Sequence, residues 1–146
     1  MRTIVTFHSR AFNNQEPKPY FINACCFGDD VARWLIAKLR DRVVEVDEEP
    51  GQEDFGWYVR FRAAGARYFL IVGFRPDDES QGRTWIVWIE RNRGLLGLPF
   101  SGRGIDPALP EMLDGILTGA AEIEDVRWYS REEFESENDE LYSSKP

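Results

Sequence analysis

The sequence predicts an α+β fold, a mostly antiparallel sheet built on a central three-strand meander with two amphipathic helices packed on it. Three observations predict it. Residues 55–74 carry two alternating apolar runs separated by a short Ala/Gly turn, and residues 84–90 add a third extended run. Two other stretches repeat apolar residues at spacings of three and four, the period of a helix that buries one face. The resulting order is strand, helix, meander, helix, strand, with no internal repeat, which suits helices layered on an antiparallel sheet.

Thr3 to Ser9 is β-branched and aromatic and reads as a first strand. Residues 10–20 hold an Asn pair and two prolines, the mark of an irregular connection. Tyr20 to Phe27 is apolar and reads as extended. Gly28-Asp29-Asp30 reads as a helix start in which an Asp side chain caps free N–H groups. Val31, Trp34, Leu35 and Leu39 form the apolar stripe of a helix that ends near Arg42. Val43 to Val46 follows as a short edge strand. The acidic stretch around Pro50-Gly51 is expected to be a solvated loop.

In the meander, Phe55, Trp57, Val59 and Phe61 alternate with Gly56, Tyr58, Arg60 and Arg62. Period two with one polar face is a half-buried strand. Gly65 supplies the positive φ of a tight turn, and Tyr68, Leu70, Val72 and Phe74 return. Thr84 to Glu90 is apolar on both faces, so it is central or covered on both sides. Asp106-Pro107 opens a second helix, with Leu109, Met112, Leu113, Ile116 and Leu117 on one face and Gly119 at its end. Glu122 to Tyr129 is a last strand, and Ser130 to Glu133 has the spacing of a capping box. Residues 1–134 are expected to form a single domain and residues 135–146 a flexible acidic tail.

The 146 residues include five Trp, five Tyr and ten Phe, and the net charge is −8. That charge disfavours nucleic acid and anionic membrane surfaces, both of which need a basic face, and suits a basic protein partner. The only cysteines, Cys25 and Cys26, are adjacent and do not form a disulfide framework. The opening residues run straight into a strand pattern without the character of a signal peptide. A cytoplasmic location is therefore expected.

No catalytic set, cofactor motif or metal-binding pattern stands out. His8 is the only histidine, which excludes multi-histidine metal sites, and it has no evident partner for base chemistry. Cys25 and Cys26 precede a helix start whose aspartates oppose a thiolate. The loop at 91–104 interleaves Arg91, Arg93 and Arg103 with four glycines. Arginine forks and free N–H groups could hold an anion there, although the loop lacks a P-loop or dinucleotide fingerprint.

Two acidic segments remain, Glu45 to Asp54 and Arg131 to Glu140. In the first, Asp47, Glu48, Glu49, Glu53 and Asp54 are candidates for docking a basic partner. Trp85 and Trp88 are three apart in a strand and point to opposite faces, so one of them lines a groove or a dimer surface. The sequence thus favours a non-enzymatic acidic module of the immunity-protein or adaptor kind. An anion-binding protein using the arginines is the second reading, and a homodimer closing on the two-sided strand is the third.

Overall fold

The meander places three long strands side by side, and the shorter elements complete a seven-stranded antiparallel sheet around them. The structure is a computed structural model that describes residues 1–76, 84–92 and 104–146. The strands are β1 (Ile4–His8), β2 (Glu45–Val46), β3 (Gly51–Glu53), β4 (Gly56–Ala63), β5 (Ala66–Arg75), β6 (Thr84–Arg91) and β7 (Glu124–Tyr129). The helices are α1 (Asp29–Leu39), α2 (Ala108–Thr118) and α3 (Arg131–Glu135). The sheet order is β2-β4-β5-β6-β1-β7, with β3 also on β4.

Strand register separates the two faces. On one, Trp57 pairs with Val72, Val72 with Val87, Val87 with Val5, and Val5 with Trp128. Val59, Leu70 and Ile89 form the next row. These side chains share one buried cluster with Val31, Leu35, Ile36 and Leu39 of α1 and Leu109, Leu113, Ile116 and Leu117 of α2. Both helices therefore cover this face, and both repeat apolar residues at helical spacing because only one side meets the sheet.

Turn chemistry follows the expected residues, with one addition. The β4–β5 connection is Ala64-Gly65, and both residues have positive φ, 49° and 74°. That is the backbone of a two-residue hairpin loop whose twist matches its strands. α2 starts one residue later than expected, with Pro107 rather than Asp106 at its N-cap, and Asp106 Oδ1 accepts the Ala108 N–H at 2.9 Å.

Other expectations differ from the structure. Tyr20 to Phe27 forms no strand. Its neighbourhood is held by side chains instead, with Gln52 accepting from the Ile22 N–H and donating to the Tyr20 carbonyl. The first helix has Gly28 at its N-cap and no side-chain cap. Asp30 Oδ2 accepts the Asn13 N–H at 2.7 Å, which ties the long connection to the helix. Part of the acidic loop is also strand: Gly51 to Glu53 pairs with β4, because the outer edge of an eight-residue strand needs partners for its backbone.

The last residues of the chain meet β7 and α2. Ser143 and Trp128 exchange backbone hydrogen bonds of 2.9 and 2.8 Å. Arg127 lies over the Tyr142 ring at 4.5 Å, and Lys145 Nζ reaches Asp114 at 2.8 Å. This segment supplies the backbone partner that the outer edge of β7 needs at Trp128.

The capping box of α3 is formed as expected. Ser130 Oγ accepts the Glu133 N–H, and Glu133 accepts the Ser130 N–H. Arg2 grips the same carboxylate with bonds of 2.8 and 3.0 Å. The Arg2 bond first, and the Ser130 N–H second, hold the Glu133 carboxyl below its ordinary pKa. A folded-state pKa below the unfolded one gives stability that is present above the unfolded value, about 4.3 for Glu, and lost as pH falls through the folded value. Glu133→Gln should therefore destabilise the protein at neutral pH, with the difference shrinking on acidification. Thermal melts of both proteins from about pH 7 to about pH 3 test this, and a pH-independent difference would contradict it.

Candidate functional site

The second face of the sheet lies opposite α1 and α2. Its central row is Tyr58, Ile71, Trp88, Ile4 and Tyr129, read across five strands by register. Phe69 and Glu90 form a neighbouring pair, and Ile86 and Thr6 another. Trp85 is fully buried against the helices while Trp88 is half-buried on this side, the division that strand parity requires.

Among the described residues, the only helix on this face is the short α3. Its Phe134 meets Tyr129 edge to face, with ring centroids 5.7 Å apart. The capping box and the Arg2 clamp fix α3 and so place Phe134. Between α3 and the sheet runs a largely apolar groove of about 260 Å³, with Ile4, Ile86, Trp88 and Phe134 on its walls and Glu90 among them. Trp88 Nε1 donates to Glu90 Oε1 at 2.8 Å. A contiguous second depression beside Ile86 and Phe134 carries Glu135, Glu137 and Asp139. The site is thus an apolar floor with a mixed rim, in which Arg131 pairs with Glu135 at 2.6 Å and Arg75 with Asp139 at 3.5 Å, while Glu137 is exposed.

The candidates read from the sequence lie elsewhere. Asp47 is bound to Arg60, whose backbone N–H and Nε both donate to Asp47 Oδ2 at 3.0 Å. Arg33 lies 3.4 Å from Glu49. Glu48, Glu53 and Asp54 are exposed. The first acidic segment therefore spends part of its charge on the protein's own arginines. Arg91 is exposed and donates to the Gly104 carbonyl at 3.2 Å, and Arg93 and Arg103 lie outside the described residues.

His8 Nδ1 sits 3.7 Å from Asp125. Cys25 is exposed, and Cys26 is buried with its thiol pKa pushed up, first by burial and then by Asp29. That is the reverse of the depression an activated thiol shows. Among the described residues, no group of three His, Cys, Asp or Glu side chains is placed to hold a metal ion, and no helix is long and apolar enough to cross a membrane.

Sequence patterning anticipates part of the site. The opposed Trp85 and Trp88 mark a groove-lining tryptophan, and Arg131 to Glu140 is the second acidic segment. Glu90 stands outside every motif of the sequence, although it is two residues from Trp88 in a strand and must share its face. Comparison with known proteins found no matching family model, no matching curated protein and no matching solved structure.

Proposed function

We propose that this domain is a non-enzymatic protein-binding module that docks a basic partner on the face of its sheet opposite α1 and α2. The observation that carries this reading is the apolar groove at Ile4, Ile86, Trp88 and Phe134, which holds the Glu90 carboxylate and is bordered by Glu137 and by the ion pairs Arg131–Glu135 and Arg75–Asp139. An apolar centre inside a charged rim is the usual anatomy of a protein interface. The net charge of −8 favours a basic partner at long range. Two adjacent free cysteines suit a reducing, cytoplasmic setting.

Panning a random peptide library against the full chain tests this. The enriched peptides should be basic and carry apolar anchors. They should lose binding to Trp88→Ala and to the double variant Glu135→Lys/Glu137→Lys. Binding should survive Glu48→Lys/Glu53→Lys, which changes the other acidic segment. Enrichment of neutral or acidic peptides, or equal binding by all three variants, would remove the reading.

A further inference from the structure

We infer that the groove receives an arginine side chain of the basic partner, its guanidinium held by Glu90 and its stem laid along Trp88, Ile86 and Phe134. This inference rests on the docking reading above and specifies what the partner brings.

Glu90 carries the argument. It is only 9% exposed and lies on an otherwise apolar wall. A carboxylate withdrawn from water is unfavourable unless a cation or several hydrogen bonds compensate it. The hydrogen bond recorded for it among the described residues comes from Trp88 Nε1 and reaches Oε1. No ion pair of the described residues includes Glu90, and its cross-strand neighbour on β5 is Phe69. Arg131, a basic side chain of the groove wall, gives its Nε–H to Glu135 at 2.6 Å. Among the described residues no hydrogen bond is found to the second oxygen of this carboxylate, which lies beside a tryptophan in the wall of the groove.

The chemistry of that pair selects the ligand group. A carboxylate beside an indole suits a cation that hydrogen-bonds in one plane and rests on a π surface. Guanidinium does both and is weakly hydrated, whereas an ammonium is a compact, strongly hydrated charge.

Proton–nitrogen correlation NMR of the full chain provides the test, with n-butylguanidinium, n-butylammonium and the uncharged n-butylurea as probes. Butylguanidinium should move the Trp88 indole cross-peak saturably. The Trp57 and Trp128 indoles, which donate to Cys26 and Asp114 inside the protein, should stay in place. Butylurea should bind weaker by roughly tenfold or more, and Glu90→Gln, which keeps an acceptor for Trp88, should lose a similar factor. Equal binding of butylurea, or an unchanged Glu90→Gln variant, would overturn the role of Glu90, and equal binding of butylammonium would overturn the choice of arginine. Should the Gln variant misfold, the comparison of the three probes on the native chain decides alone. Basic peptides that bind while butylguanidinium does not would sink this inference and leave the docking reading standing. Butylguanidinium binding with no basic peptide enriched would overturn the protein partner as its source.

Discussion

Trp128→Phe should destabilise the protein by about 3 kcal/mol, seen as a fall of roughly 10 °C in melting temperature. Trp128 is fully buried on the central row of the core. Its Nε1 donates at 2.9 Å to Asp114 Oδ1 of α2, and Asp114 is itself only 3% exposed. Lys145 satisfies the other oxygen at 2.8 Å. Phenylalanine would remove one of the two side-chain bonds to a buried carboxylate, a loss of about 1.5–3 kcal/mol for a charge-assisted bond. The smaller ring leaves a gap worth about 1 kcal/mol more.

Trp85→Phe provides the contrast. Trp85 is equally buried, but its Nε1 has no partner among the described residues. Removing an unsatisfied donor offsets the gap, so the net change should stay within about 1 kcal/mol. Chemical denaturation of both variants measures the difference. Equal losses would show that packing alone governs these sites and that the Asp114 bond contributes nothing.

The two tryptophans also show what patterning reveals and what it hides. Parity along β6 sets Trp85 and Trp88 on opposite faces, and parity along β7 sets Trp128 on one face with Val126. Alternation in β4 and β5 and the stripes of α1 and α2 are equally plain, because each element buries one side and its period records that side. β3 is different. Gly51, Gln52 and Glu53 carry no apolar alternation, and their strand exists because β4 needs an edge partner. The connection from Arg10 to Phe27 is fixed by bonds such as Asn13 N–H to Asp30 and Gln52 to Tyr20, which leave no periodic trace.

Charge is the least legible feature. Asp47 and Glu49 sit in a run of acids without a base, yet Arg60 and Arg33 meet them in space. The candidate site was half legible for the same reason. Trp88 and Glu90 share a face by parity, but β6 is apolar on both sides, so its sequence does not say which face the helices cover. Only tertiary packing leaves Trp88 on the open side and brings α3 beside it.

Gly56→Ala should cost about 4 kcal/mol or more, counting backbone strain of about 1–3 kcal/mol and the steric conflict that adds to it. Gly56 has φ of 138°, a conformation that residues with a Cβ seldom adopt. It starts β4 directly after the turn from β3, opposite Glu53. A Cβ at this position would lie 2.3 Å from the Val72 carbonyl oxygen and 3.3 Å from its carbon. Both are backbone atoms of β5, so no side chain can swing aside. Relief would require β4 and β5 to separate where Trp57 pairs with Val72, at the core's first row. Gly115→Ala in α2 should have the opposite sign. Nothing lies within 4 Å of a Cβ there, and the helix gains roughly 0.5–1 kcal/mol when glycine is replaced by alanine. Urea denaturation of the two variants separates the causes. A Gly56→Ala loss no larger than about 1 kcal/mol, the ordinary propensity difference, would mean that β4 and β5 part easily at this end. The strand register that aligns Tyr58, Ile71 and Trp88 on the open face would then be held from the hairpin end at Ala64-Gly65 alone.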